Sequence, residues 1–254
     1  MILAVDVSNT SIKLGVFQGE TLLASFRIAS DRQRLADDYG MLLLGLLVSA
    51  KLSPADFRGA VVSCVVPPLR SVFEDVCRRY LGVTPVVVSP EIRTGVTLLV
   101  DNPREVGADR IVNALATHRR HGGPAISIAF GTATVFDCVS PDGAYMGGAI
   151  APGMVTSLES LARSAAQLFQ IELVAPKKAI GTNTVSTMQS GLVLGFAGLV
   201  EGLTARLRAE MGGEAKVIAT GGLADVIAPA TKAIDVVDPH LTLQGLRLIY
   251  ELNA

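Results

Sequence analysis

The order in which apolar runs and turn signals alternate constrains this chain most, because the same order occurs twice. Residues 2–7, 12–17 and 22–28 are apolar runs separated by Ser8-Asn9-Thr10 and Gln18-Gly19-Glu20, the pattern of a three-stranded antiparallel meander. Residues 35–50 and 69–80 have helical periodicity, and strand-like runs follow at 60–66, stopped by Pro67-Pro68, and at 86–89. A second round starts with a helix over 109–121 and strands over 126–130, 134–139 and 144–150, turning at Gly131-Thr132-Ala133 and Pro141-Asp142-Gly143. Helices over 154–166 and 185–211, a strand at 216–220, the pair Gly221-Gly222, a helix from Leu223, a strand near 233–237 and a closing helix over 241–252 complete it. This order predicts an α/β protein of two domains, 1–114 and 115–254, each a mixed sheet with an antiparallel meander flanked by helices. It leaves open whether the closing helix packs back on the first domain.

Bulk properties narrow the function classes. Half of the 254 residues are apolar, enough for a sizeable core, and the formal net charge of −1 provides no cationic surplus for nucleic acid or an anionic membrane. The first residues, Met1-Ile2-Leu3-Ala4-Val5-Asp6, lack a basic segment and a small-residue cleavage site, so no secretory leader is expected. No apolar run stands out as a bilayer span, residues 41–50 being the nearest approach. Cys64, Cys77 and Cys138 have no CxxC spacing and form no ligand set with His118, His121 and His240. A cytoplasmic, reducing location is expected.

Three segments could carry chemistry. Asp6-Val7-Ser8-Asn9-Thr10, followed by Lys13, places a carboxylate at a strand end and small polar residues in a hairpin turn. Such a turn can present N–H groups and hydroxyls to phosphate oxygens while the acid holds hydrated Mg²⁺, although the same residues also make ordinary hairpins. Phe130-Gly131-Thr132-Ala133-Thr134 repeats the design in the second half, with Asp137 farther along, and two such turns facing across a cleft could hold a polyphosphate. Gly221-Gly222 after a strand could let a base or ribose lie against bare backbone.

Together these features resemble the superfamily of acetate kinase, sugar kinases, Hsp70 and actin, in which two ribonuclease H-like domains close over ATP. More narrowly, Gly107-Ala108-Asp109-Arg110-Ile111-Val112-Asn113-Ala114, Gly147-Gly148-Ala149-Ile150-Ala151-Pro152-Gly153 and Ile180-Gly181-Thr182-Asn183-Thr184-Val185 are similar to signatures of the type III pantothenate kinases. Met188-Gln189-Ser190-Gly191 and Gly198-Leu199-Val200-Glu201-Gly202 extend the likeness along the chain. The resemblance implies ATP-dependent phosphorylation of pantothenate, the opening step of coenzyme A synthesis, by a homodimer whose pockets are completed by the partner chain. It makes Asp109 the general base, Asp6 the Mg²⁺ ligand, and Ser8, Asn9, Thr10, Lys13, Gly131, Thr132, Gly221 and Gly222 the nucleotide contacts. Gly107, Ala108, Arg110 and Thr184 then meet pantothenate, while Gly147, Gly148 and Gly153 are read as structural.

Four positions differ from the family pattern. Ser8 replaces a glycine, Ala129 an aspartate that holds K⁺, Val135 a threonine, and Val100 a tyrosine of the pantothenate pocket. A methyl group cannot ligate a cation, so K⁺ is not carried over to Ala129. Two readings result: an enzyme without the K⁺ requirement, or a ligand-binding paralogue similar to the Bvg accessory factors. A kinase for another small acceptor is the further alternative. The joint retention of Asp6, Asp109 and Arg110 favours the enzyme.

Overall fold

A computed structural model describes residues 1–89 and 91–254. The chain forms two compact units, one of Met1–Val96, Asp101–Ala116 and Thr242–Ala254, the other of Thr97–Val100 and Thr117–Leu241.

In the first unit, strands β1 (Ile2–Val7), β2 (Ser11–Gln18) and β3 (Thr21–Ala29) form the predicted antiparallel meander, and β4 (Gly59–Cys64) and β5 (Pro85–Val87) extend it in parallel. The sheet order is β3-β2-β1-β4-β5. Every residue of β1 is buried, which is why it reads as an apolar run broken only by Asp6. Leu3, Val5 and Val7 pack with residues of α1 (Ala36–Ser49) and α2 (Pro67–Leu81). Ile2 and Ala4 pack with Val112 and Leu115 of α3 (Ala108–His121) and with Leu246 and Ile249 of α8 (Leu241–Asn253). Strand alternation therefore sends Asp6 to the α3 side of the sheet. Pro67 and Pro68 do more than stop a strand: they open α2, where proline's missing N–H is no loss and its φ suits the first turn.

The second unit repeats the plan. Strands β6 (Ala125–Phe130), β7 (Ala133–Val139) and β8 (Tyr145–Pro152) are antiparallel, β9 (Lys216–Gly221) and β10 (Val236–Val237) are parallel, and the order is β10-β9-β6-β7-β8. Helix α4 (Met154–Ser164) contributes Met154 and Leu158 to the core over this sheet. The strand expected near 233–237 shrinks to two residues, because the Asp235 carboxylate accepts the Val217 N–H at 2.8 Å where a ladder carbonyl would stand. The helix expected from Leu223 is the single turn α7 (Ala224–Ile227), which passes into a 3₁₀ turn containing Pro229.

The long helix expected over 185–211 is interrupted. Thr184–Gln189 (α5) and Gly195–Glu210 (α6) are α-helical, with a π-helical turn over Ser190–Leu194 between them. Its buried positions, including Leu192, Val193, Phe196 and Val200, join the second unit's core. By length and composition only, Thr184–Glu210, with a mean hydropathy of 1.3, is long and apolar enough to cross a membrane. That corrects the expectation that residues 41–50 come nearest, since interspersed glycines break up this more extended apolar pattern.

Candidate active site

The first hairpin is built around a buried charge. Asp6 is 2% exposed and stands in register with Lys13 on β2 and Ser63 on β4. Its Oδ2 meets Lys13 Nζ at 3.8 Å and accepts a hydrogen bond from Ser8 Oγ at 3.3 Å. Its Oδ1 is buried without a hydrogen-bond partner. Burial pushes the Asp6 carboxyl above the usual carboxylate range, opposed by the Lys13 charge and then by the Ser8 and Ser63 hydroxyls. Ser63 Oγ makes no full hydrogen bond, so its help is weaker than that of Ser8. The glycine-to-serine difference at residue 8 strains nothing: among the described residues Lys51 is the sole non-glycine at positive φ. The hydroxyl instead gains the carboxylate as partner.

At the tip, Asn9 Oδ1 accepts a hydrogen bond from Arg32 Nη2 at 3.0 Å, and the Thr10 carbonyl accepts the Ser30 N–H at 3.2 Å. Neither Arg32 nor Ser63 is evident as a site residue from sequence. The signal for Ser63 is a single hydroxyl inside the β-branched run of β4, whereas Arg32 sits in a polar connection where arginine draws no notice.

Asp109 lies on the second residue of α3, partly exposed. The Gly107 carbonyl accepts the Arg110 N–H at 3.0 Å, and Asp109 Oδ1 accepts the same N–H at 3.0 Å. A Cβ on Gly107 would stand 2.7 Å from Asp109 Oδ1, so the glycine leaves room for the carboxylate. The Asp109 carboxyl is pushed up to about 6, first by burial and then by the negative charge of Asp6, against the Arg110 N–H and guanidinium. An acid at a helix start would ordinarily be lowered by the helix dipole. Here the burial and the neighbouring acid win, and the carboxyl moves closer to neutrality.

The second unit carries the other predicted residues. In the β6–β7 turn, Gly131 N–H donates to the Ala133 carbonyl at 3.0 Å, and the Thr132 carbonyl accepts the Gly153 N–H at 3.0 Å and Thr156 Oγ1 at 2.8 Å. A Cβ on Gly153 would stand 2.2 Å from the Gly131 carbonyl oxygen, and one on Gly148 1.8 Å from that of Phe136, so both glycines serve close backbone approach. Gly221 has φ +96° and abuts the Phe130 backbone, while Gly222 is exposed. Thr184 begins α5 behind the Asn183 cap, whose Oδ1 accepts the Ser186 N–H at 2.9 Å. It edges an apolar cavity of about 620 Å³ between α4 and α5, lined also by Leu161, Met188 and Leu192. Ala129 is partly exposed, facing Val135 on β7 and Thr220 on β9, whose Oγ1 is buried without a partner. Val100 lies within 3.8 Å of where a Cβ on Gly147 would be.

The structure thus groups Asp6, Ser8, Asn9, Thr10, Lys13, Gly107, Ala108, Asp109 and Arg110 in the first unit, and Gly131, Thr132, Thr184, Gly221 and Gly222 in the second.

Known proteins match on both sequence and fold. The profile of a family described as type III pantothenate kinase matches residues 2–206. A protein of Roseiflexus sp. (strain RS-1) named type III pantothenate kinase is 53% identical over 253 residues, covering 100% of this chain and 99% of its own. One of the same name from Moorella thermoacetica is 50% identical over 254 residues, covering 100% of both. Among solved structures, a Campylobacter jejuni protein described as a Baf family transcriptional activator superposes with TM-score 0.63 at 17% identity, covering 99% of this chain and 98% of its own. An inorganic polyphosphate/ATP-glucomannokinase from Arthrobacter sp. strain KM superposes with TM-score 0.56 at 16% identity, covering 100% and 99%. These two share the fold, and the two five-stranded mixed sheets flanked by helices are the actin-like architecture the sequence predicts.

Proposed function

This chain belongs to the type III pantothenate kinase family, and on that premise we propose that it phosphorylates pantothenate with ATP, giving 4′-phosphopantothenate at the start of coenzyme A synthesis. The observation that carries the residue assignment is the pair of unlike acids in the first unit. Asp109 is partly exposed with its carboxyl raised to about 6, and Asp6 is buried with one oxygen uncommitted. Asp109 takes the proton of the pantothenate hydroxyl as that oxygen bonds to the γ-phosphorus. The bond from the γ-phosphorus to the β,γ-bridging oxygen breaks, and its electron pair leaves with ADP. Arg110, next on α3, supplies a cation beside the acceptor.

The orphaned Oδ1 of Asp6 suits Mg²⁺, which needs only one or two carboxylates when phosphates and water complete its shell. Such an ion neutralises charge on the phosphates during transfer. Ser8, Asn9, Thr10 and Lys13 hold the polyphosphate in the first turn, and Gly131 and Thr132 offer the equivalent turn of the second unit. Gly221 and Gly222 receive the nucleoside, and Thr184 meets pantothenate at the mouth of its apolar cavity. K⁺ has no carboxylate at residue 129 and is not required.

We propose further that the protein is a cytoplasmic homodimer. Gly191, Gly195, Gly198 and Gly202 recur on one helix face, and Cβ atoms at the first three would meet nothing within 4 Å, leaving a shallow face for close approach of a second helix. The cysteines are free, in keeping with a reducing compartment.

The test is incubation with ATP, Mg²⁺ and pantothenate, with and without K⁺, following ADP release and the mass of the product. Turnover insensitive to K⁺ is expected. No turnover in any salt, with saturable ligand uptake, would instead support the binding paralogue.

A further inference from the structure

Arg32 brings a cation from the β3–α1 connection onto the tip of the first hairpin turn, donating from Nη2 to Asn9 Oδ1 at 3.0 Å. The connection is not a free loop. Ser30 N–H donates to the Thr10 carbonyl at 3.2 Å, Asp31 N–H donates to Tyr39 Oη at 2.8 Å, and that hydroxyl donates back to the Asp31 carbonyl at 2.9 Å. Tyr39 is 1% exposed and packs its ring on Phe73 with centroids 4.9 Å apart, so the anchor is part of the core.

The neighbouring acid is turned to other partners. Asp31 Oδ1 accepts the Gln33 N–H at 2.9 Å and its Oδ2 meets Arg34 Nε at 3.7 Å. Among the described residues Arg32 has no carboxylate partner, and its one hydrogen bond goes to a neutral amide oxygen. Lys13, the other cation of this turn, lies 3.8 Å from the Asp6 carboxylate. The turn therefore holds one guanidinium whose remaining N–H groups face solvent beside the exposed Asn9. A planar fork of that kind pairs two donors with two phosphate oxygens.

We propose that Arg32 is a phosphate-binding residue of the nucleotide site, aimed by Asn9 and Tyr39 and contacting the polyphosphate of ATP. The assignment rests on the kinase reading above. The competing role, a brace for the turn, needs only the hydrogen bond to Asn9, which a glutamine amide could also make.

Calorimetric titration of MgATP, MgADP and adenosine into wild type, Arg32→Gln and Arg32→Lys separates the two. For Arg32→Gln, loss of a charge-assisted contact predicts a Kd for MgATP about tenfold weaker, a smaller loss for MgADP and none for adenosine. Arg32→Lys should recover part of the loss, and wild-type affinity for MgATP should fall more steeply with salt than that of Arg32→Gln. Unchanged MgATP affinity in Arg32→Gln, or an equal loss for adenosine, would overturn the assignment while leaving the kinase reading intact. Failure of wild type itself to bind MgATP would overturn the kinase reading, and this inference with it.

Discussion

The two sheets can be compared one row at a time. Across the first, in register, stand Ser63, Asp6, Lys13 and Arg27; across the second stand Thr220, Ala129, Val135 and Ile150. Both rows keep the hydroxyl on the parallel strand, but charge occupies the meander in one and methyl groups in the other. The same backbone serves both, so the fold itself does not demand the charges. Burying Asp6 is costly, as its raised carboxyl shows, and in this row only the first unit bears that cost. The matching row of the second unit has only a hydroxyl and methyl groups; the carboxylate buried in that hairpin, Asp137, stands elsewhere on β7, and Gly153 lies in close backbone contact with the turn.

Removing the acid of α3 that feels the charge of this row should have the largest effect. Asp109→Asn keeps the shape but removes the proposed proton acceptor, so kcat should fall by about 10²-fold or more, measured by steady-state assay on folded protein. The same variant should be more stable. A carboxyl raised to about 6 from 3.8 favours the folded state when protonated. That contribution is complete below pH 3.8, is lost as pH rises through about 6, and is absent at neutral pH. Asp109→Asn should therefore gain about 1–2 kcal/mol in urea unfolding at neutral pH, discounted because the carboxyl is partly exposed. The gain should vanish in acid.

Transplanting charge into the apolar row is the next test. Ala129→Asp places a carboxylate opposite the unpartnered Thr220 hydroxyl. It should lower Tm by several degrees without K⁺ and recover with K⁺, and activity should become K⁺-dependent. A salt response identical to wild type would show that the site is not merely vacated. The glycine brace gives the smallest effect on catalysis: Gly153→Ala should cost about 1–3 kcal/mol of stability by overpacking against the Gly131 and Thr132 carbonyls. It should raise the KM for ATP more than that for pantothenate.

Much of this was legible in the sequence, and for identifiable reasons. β1 and β6 are apolar runs broken by small polar turns, so their hairpins declare themselves. Asp6 stands out because it is the one charge in a buried strand. What stayed hidden depends on contacts distant in sequence. The raised carboxyl of Asp109 needs first its burial and then the charge of Asp6, and the place of Arg32 needs a core tyrosine holding its connection. The contraction of β10 and the π-helical turn are likewise tertiary outcomes, the first traceable to Asp235 and the second without an evident local cause. Pro67 and Pro68 mislead by chemistry alone, since proline ends a strand and begins a helix equally well.

The central claim is that Asp109 accepts the proton from a carboxyl held well above its ordinary range. Its most direct measurement is the pH dependence of kcat/KM with both substrates below saturation, where the groups of the free enzyme are reported. The account predicts a plateau near neutrality and a tenfold fall per pH unit below about 6. An acid limb near the ordinary aspartate value of about 4, or none at all, would contradict it.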